Sequence, residues 1–130
     1  MKVGILGAGT MGNGIAHVFA QCNNQVILVD INETVLEEAK NTINNNLKRQ
    51  LQKKIINESN LNEAMGNIEL STDMNTFKSC DLIIEAIKED LELKKKIFKQ
   101  LDSICDTKTI LASNTSSISI NSLSTSTNRP

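Results

Sequence analysis

The sequence predicts an α/β fold, a doubly wound parallel sheet with helices on both faces. Three observations favour this fold. Short aliphatic runs alternate with segments of helical periodicity along the 130 residues, an order typical of strands joined by crossover helices. A glycine-rich turn follows the first of these runs directly. The content of 39% hydrophobic and 22% charged residues is ordinary for a globular protein. Together these observations indicate one domain of the usual size.

Five short strands are predicted from runs of β-branched and aliphatic side chains. Runs of this kind are typical of strands that are buried on both faces of a parallel sheet. The predicted strands are Lys2–Leu6, Val26–Asp30, Ile68–Ser71, Leu82–Glu85 and Thr109–Ala112.

Four helices are predicted from apolar residues that recur every three or four positions. They are Met11–Gln21, about Glu33–Ile56, Asn60–Met65 and Asp90–Ile104. The second is long and is predicted to protrude between strands two and three. The apolar face of the last helix is predicted to consist of Leu93, Ile97, Leu101 and Ile104. Ten of the fifteen residues in Ser113–Thr127 are Ser or Thr, which indicates a loop or linker.

Charge and composition argue against several classes of function. The net charge of −1 provides no basic field for nucleic acid or anionic lipid, and the lack of Trp and Tyr argues against a base-stacking surface. No apolar stretch approaches the roughly 18–20 residues that span a membrane, and no signal peptide is expected. Cys22, Cys80 and Cys105 show no pairing pattern. They are expected to be small, buried or half-buried thiols in a reducing cytosol, with no metal site.

The turn after the first strand fits the pattern G-x-G-x-x-G, at Gly7, Ala8, Gly9, Thr10, Met11 and Gly12. The match is specific because the turn follows a strand and opens a helix. The first glycine permits the tight turn, the second lets a pyrophosphate approach the backbone, and the third lets the helix pack against the strand. The helix N-terminus then offers unpaired N–H groups to the phosphates. The pattern therefore predicts a dinucleotide site in a Rossmann-type domain.

Asp30 ends the second predicted strand, near the position where the dinucleotide fingerprint has an acidic residue. Its carboxylate would accept hydrogen bonds from the adenosine ribose and repel a 2′-phosphate. No Lys or Arg follows closely enough to accommodate that phosphate, so the prediction is NAD and not NADP. Two alternatives stay open. One is a tight turn without a ligand, in which Asp30 caps Asn32–Thr34. The other is a related fold that binds FAD or S-adenosylmethionine.

Four segments in order along the chain carry a family resemblance. They are GAGTMGNG at Gly7–Gly14, LVD at Leu28–Asp30, LIIEAI at Leu82–Ile87 with Glu89, and ASNTSS at Ala112–Ser117. Together they resemble the N-terminal, NAD-binding domain of the 3-hydroxyacyl-CoA dehydrogenases, with the bacterial 3-hydroxybutyryl-CoA enzymes as the closest likeness. The resemblance implies an oxidoreductase of fatty acid or butanoate metabolism. Such an enzyme moves a hydride between C3 of an acyl-CoA and NAD.

The resemblance also implies roles for individual residues. Gly7–Gly12 and Asp30 would hold the ADP half of NAD, and Glu89 and Lys94 would contact the cofactor. Ser116 would lie against nicotinamide and substrate and hydrogen-bond the reacting oxygen, the one catalytic role implied within this chain. Plainer alternatives are a surface lysine at Lys94, a helix-start acid at Glu89 and an ordinary loop serine at Ser116.

Asn46 and Lys53, on the long helix, match positions that contact CoA in the family. Asn46 stands where some relatives have serine, and both side chains can form hydrogen bonds. A solvated helix face is the plainer alternative for Lys53. Glu85 is expected to be structural or near the cofactor without a catalytic role, and His17 is expected to be structural.

Oxidation of an alcohol needs a general base, usually a histidine tuned by a carboxylate. In the family that histidine and its glutamate lie downstream of the segments matched here. We therefore expect residues 1–130 to be an NAD-binding domain that is incomplete at its C-terminus, inactive alone, and part of a cytoplasmic homodimer. Two alternatives are the cofactor domain of a 6-phosphogluconate or 3-hydroxyisobutyrate type of dehydrogenase and a non-catalytic dinucleotide-binding module. The long charged helix Glu33–Ile56 argues against the former.

Overall fold

The fold is a five-stranded parallel sheet with helices on both faces, as predicted. The computed structural model describes residues 1–115 and 120–128. The strand order is β3-β2-β1-β4-β5, and every pair of neighbours is parallel. The strands are β1 Lys2–Leu6, β2 Gln25–Val29, β3 Ile68–Ser71, β4 Leu82–Glu85 and β5 Ile110–Ser113. Three of the five predicted strands have the observed bounds, and the other two are displaced by one residue.

Helices connect the strands and cover the sheet. They are α1 Thr10–Gln21, α2 Glu33–Gln52, α3 Glu58–Gly66, α4 Leu91–Ile104 and α5 Ile120–Ser124, with a 3-10 helix at Met74–Ser79. The short helix α5 corrects the prediction of a loop over Ser113–Thr127, where Ser and Thr dominate the composition. The 3-10 helix was not predicted. Within the described ranges, no helix has the length and hydropathy to cross a bilayer.

The hydrophobic core has one layer on each face of the sheet. Alternate residues of β1 and β2 point to opposite faces, so Val26 and Leu28 belong to one layer and Ile27 and Val29 to the other. Buried side chains of α1, α2 and α3 complete the first layer, and the 3-10 helix and α4 complete the second. This alternation is the reason that the strands are continuous hydrophobic runs in the sequence.

Helix α2 is shorter than predicted. The predicted helix extended to Ile56, but α2 ends at Gln52 because Lys54 adopts a positive φ of 60°. Ile55, which continued the apolar spacing, is 67% exposed. The last residue of α2 that is buried in the core is Leu47. The final turn therefore extends beyond the core, as the predicted protrusion required.

The buried face of α4 differs from the prediction. Leu93 is 39% exposed, whereas Lys94, Phe98 and Leu101 are the buried residues of this helix. Spacings of four and three residues join these three positions, so they form one stripe along the helix. A lysine therefore occupies a core position, and the prediction of an apolar face that includes Leu93 is wrong there.

The three cysteines have different environments. Cys80 and Cys105 are buried, as expected, but Cys22 is exposed and corrects the expectation for that residue. Cys22 follows the last turn of α1, where the chain turns towards β2 at the surface. Burial raises the pKa of the Cys80 thiol to about 11, with the nearby Lys2 opposing this shift.

Only Cys22 is expected to react quickly with a thiol reagent in the native protein. The thiolate is the reactive species, and burial of Cys80 and Cys105 keeps the reagent from their sulfurs. Titration with a chromogenic disulfide at pH 8 should therefore release about one equivalent rapidly and the remainder after addition of urea. The variant Cys22→Ser is the control and should show no rapid phase. Fast reaction of more than one thiol would contradict the burial of Cys80 and Cys105.

Candidate functional site

The candidate site lies at the carboxyl edge of the sheet, between β1 and β4. The connections from these two central strands lead to opposite faces, so their ends diverge and leave a crevice. In open α/β sheets, ligands bind in the crevice at such a switch point. The glycine-rich turn follows β1, Asp30 follows β2, and Glu85–Glu89 follow from the end of β4.

The three glycines of the turn have different surroundings. The N–H of Gly7 donates to the Val29 carbonyl at 2.8 Å, and its φ of 108° disfavours any other residue. A Cβ atom on Gly12 would lie 1.7 Å from the Gly7 carbonyl oxygen, so this glycine permits α1 to pack against the turn. A Cβ atom on Gly9 would meet nothing within 4 Å. The open side of the turn is therefore at Gly9, where the fingerprint brings the pyrophosphate close.

The N-terminus of α1 lacks a side-chain cap. Gly9 is its N-cap residue and provides no side-chain acceptor, and the first turn contains no acidic residue. Helices α2, α3 and α4 instead have the N-cap residues Asn32, Asn57 and Asp90, whose side chains accept hydrogen bonds from the first turn of each helix. The first N–H groups of a helix need such partners. An anionic ligand at α1 would satisfy them and would be stabilised by the helix dipole.

The Asp30 side chain lies beside the turn. Its Oδ2 accepts a hydrogen bond from the Ala8 N–H at 2.9 Å, and its Oδ1 accepts one from the Asn32 N–H at 3.0 Å. The alternative in which Asp30 caps Asn32–Thr34 is therefore correct for the N–H of Asn32. The residue that caps α2 itself is Asn32. A carboxylate has about four acceptor positions, so both oxygens can accept further hydrogen bonds. Asp30 thus both fixes the turn and provides acceptors at the end of β2.

Lys94 forms a buried ion-pair network on the other side of the crevice. Its Nζ lies 3.1 Å from Glu85 Oε1 and 3.0 Å from Glu89 Oε1. The exposed fractions are 1% for Lys94, none for Glu85 and 37% for Glu89. Glu85 Oε2 also accepts the Ile87 N–H at 2.7 Å. The network therefore links α4 to the end of β4, and the alternative of a surface lysine at Lys94 is wrong.

The carboxylates of Glu85 and Glu89 also accept hydrogen bonds from residues at and after the end of β5. The Ser113 hydroxyl donates to Glu85 Oε1 at 2.6 Å, and the Thr115 hydroxyl donates to Glu89 Oε1 at 2.5 Å. The N–H of Asn114 donates to the Glu85 carbonyl at 2.8 Å. Every residue from 113 to 115 is therefore hydrogen-bonded either to Glu85, at the end of β4, or to Glu89, in the segment that follows it.

Comparison with known proteins identifies the family of this chain. Residues 2–130 match the family model described as "3-hydroxyacyl-CoA dehydrogenase, NAD binding domain". The chain belongs to this family. It is 43% identical over 129 residues to the 3-hydroxybutyryl-CoA dehydrogenase of Bradyrhizobium diazoefficiens, covering 99% of this chain and 44% of that protein. It is 38% identical over 130 residues to the enzyme of the same name from Clostridioides difficile, covering 100% and 46% respectively.

A solved structure agrees with these relatives. The crystal structure of (S)-3-hydroxybutyryl-CoA dehydrogenase from Ralstonia eutropha superposes with a TM-score of 0.95 at 42% identity, covering 98% of this chain and 45% of that one. This NAD-binding domain therefore spans less than half the length of the relatives that it matches. The uncapped helix, the open side of Gly9 and the Asp30 acceptors all fit the cofactor that the family binds.

The structure brings some predicted site residues together and not others. Glu89 and Lys94 are paired, and Asp30 contacts the glycine-rich turn. On α2 of this NAD-binding domain, Asn46 is half-buried and accepts a hydrogen bond from Arg49 at 3.3 Å, and Lys53 is the exposed C-cap residue. No contact described here joins either to the crevice, and their predicted role towards CoA stays a prediction. Ser116 lies outside the described residues.

Sequence reasoning missed the joining role of Glu85, Ser113 and Thr115. Glu85 is expected from the sequence to be structural or near the cofactor, but its part in an ion pair was not predicted. One signal was available, since a lysine at position 94 shares helical spacing with Phe98 and Leu101. A lysine in a buried stripe needs a carboxylate partner, and an acidic residue at the end of a buried strand is such a partner.

Proposed function

We propose that this NAD-binding domain serves an oxidoreductase that interconverts 3-hydroxyacyl-CoA and 3-oxoacyl-CoA, with 3-hydroxybutyryl-CoA as substrate. The observation that supports this most strongly is the family match over residues 2–130, together with a glycine-rich turn and Asp30 at the switch point of the sheet. When bound, NAD exchanges a hydride with C3 of the substrate.

The proposal assigns a role to each of several residues of this chain, and the geometry of the turn and of Asp30 supports the first two assignments. The N–H groups at the start of α1 bind the pyrophosphate, on the open side of Gly9. The Asp30 carboxylate accepts hydrogen bonds from the adenosine ribose and excludes a 2′-phosphate by charge repulsion. Glu89 and the residues from Ser113 to Thr115 follow β4 and the end of β5, on the opposite side of the crevice. For Ser116, which lies outside the described residues, the proposal keeps the role that the resemblance implies, a hydrogen bond to the reacting oxygen.

The proton of the substrate hydroxyl needs a general base, usually a histidine. His17 is the only histidine, and its Nε2 is 2.9 Å from the Gln21 side-chain oxygen on α1. It lies on the helix behind the glycine-rich turn. The proposal therefore includes a base supplied by residues outside these 130. It also includes CoA contacts from Asn46 and Lys53, a cytoplasmic location, and a homodimer of the whole protein.

The proposal is tested by calorimetric titration of the chain with NAD and NADP, alongside an assay for NADH oxidation that depends on acetoacetyl-CoA. We expect binding of NAD in preference to NADP, and no turnover by the chain alone. Addition of the downstream sequence should restore turnover. Turnover by these 130 residues would show that the base lies within them, and equal affinity for NADP would contradict the role of Asp30.

Replacement of Asp30 by alanine is expected to raise the Kd for NAD about tenfold or more. The change removes one or two charge-assisted hydrogen bonds, each contributing about 1.5–3 kcal/mol. It also removes the acceptor for the Ala8 N–H. Glu37→Ala, which removes the same charge from an exposed site on α2, is the matched control and should bind like the unaltered chain. An unchanged Kd for Asp30→Ala would reject its assigned role.

A further inference from the structure

We propose that Gln21 and Gln50 are positioning residues for the acyl-CoA. A hydrogen bond between their side chains joins the end of α1 to the far end of α2, beyond the hydrophobic core. This bond holds Asn46 and Lys53, the two residues assigned to CoA in the proposed function, in a fixed place relative to α1. The inference rests on that proposed function and deepens it, since the resemblance implied no role for either glutamine.

The first step of the argument is the end of the core along α2. This helix has 20 residues and is therefore about 30 Å long. Its last buried side chain is Leu47, and the next two residues, Lys48 and Arg49, are exposed. The last buried residue of α1 is Ala20. Burial in the core therefore gives little hold on the final turn of α2, and another contact must fix its direction.

The second step is a chain of hydrogen bonds that begins where the core ends. The amide nitrogen of Gln21 donates to Gln50 Oε1 at 2.6 Å, and His17 Nε2 lies 2.9 Å from Gln21 Oε1. Since the amide oxygen of Gln21 can only accept, the hydrogen of the second bond is on His17 Nε2. His17 therefore orients the Gln21 amide towards α2. All three side chains are half-buried, so these bonds are stronger than they would be in open water.

The third step is the position of Gln50 on α2. Asn46, Gln50 and Lys53 are separated by four and three residues, so they lie along one side of the helix. The residue that contacts α1 therefore lies between the two residues assigned to CoA. Loss of its bond lets the final turn move relative to α1, so fewer molecules present both residues correctly. A site that is competent in only a fraction of the molecules binds with a correspondingly weaker apparent affinity.

The test is steady-state kinetics of the whole protein, with the downstream sequence that the proposed function requires. The KM for acetoacetyl-CoA, the KM for NADH and kcat are measured for each variant. Gln50→Met removes the acceptor and keeps the length of the side chain, whereas Gln50→Glu keeps an acceptor for the Gln21 amide. Gln21→Met removes the donor from the other helix. Gln52→Met changes an exposed glutamine two residues further along α2 and is the matched control.

We expect Gln50→Met and Gln21→Met each to raise the KM for acetoacetyl-CoA about threefold to tenfold, with kcat and the KM for NADH within about twofold of the unaltered protein. Gln50→Glu and Gln52→Met should behave like the unaltered protein. An unchanged KM for acetoacetyl-CoA in Gln50→Met would overturn the inference. So would equal rises in both KM values, which indicate a general effect on the fold, or a Gln50→Glu variant as impaired as Gln50→Met. Absence of turnover by the unaltered whole protein would instead reject the proposed function.

Discussion

Replacement of Gly12 by alanine is expected to destabilise this NAD-binding domain by about 3 kcal/mol or more. The added Cβ would lie 1.7 Å from the Gly7 carbonyl oxygen and 2.8 Å from its carbonyl carbon. Both atoms belong to backbone in the glycine-rich turn, so no rotation of a side chain can relieve the overlap. Either α1 must move away from the turn or the turn must open, and both changes expose part of the core between α1 and the sheet.

Urea unfolding followed by far-UV circular dichroism would measure this effect, since the chain has neither Trp nor Tyr for fluorescence. The midpoint should fall with little change in slope. Gly14→Ala is the matched control. Gly14 lies two residues further along α1 and a Cβ there would meet nothing within 4 Å, so alanine should stabilise the helix by about 0.5–1 kcal/mol. A Gly12→Ala variant as stable as the unaltered chain would contradict the observed packing.

The strands and the glycine-rich turn could be predicted from sequence because local rules determine them. A strand buried on both faces is a run of aliphatic residues, and the turn needs glycine at fixed positions for steric reasons that involve neighbouring residues. The end of α2 could not be predicted in this way. Ile55 and Ile56 continue the apolar spacing, and the helix ends only because Lys54 takes a left-handed conformation.

The register of α4 shows a second limit of sequence analysis. Leu93, Ile97 and Leu101 are spaced as a helical face, but so are Lys94, Phe98 and Leu101. Choosing the second set requires a partner for a buried ammonium group. That partner, Glu85, lies on another element, and its bond to Ser113 spans 28 residues. The half of the site that depends on local spacing was therefore predictable, and the half that depends on an ion pair between elements was not.

Replacement of Lys94 by methionine is the second change expected to have a large effect, a loss of about 3–5 kcal/mol in the free energy of unfolding. Methionine keeps much of the side-chain volume but removes the only described cation beside Glu85, which is fully buried. An unpaired carboxylate in that position keeps its desolvation cost without its compensating attraction. Since the free energy of unfolding of a native protein is about 5–15 kcal/mol, the variant would lose a large part of its stability.

The double variant Lys94→Met/Glu85→Gln distinguishes this cause from a loss of packing. A neutral amide in place of the carboxylate leaves no buried charge unpaired, so removal of both charges should cost less than removal of Lys94 alone. Glu89 retains partial exposure and solvation in both variants. Urea unfolding of the two variants and of Lys96→Met, a control at an exposed lysine of the same helix, would give the free energies of unfolding to compare. The value for Lys96→Met should lie within about 0.5 kcal/mol of the value for the unaltered chain. A double variant less stable than Lys94→Met would show that charge pairing is not the main cause. The network would then stabilise the fold mainly through the hydrogen bonds that Glu85 accepts from Ile87 and Ser113.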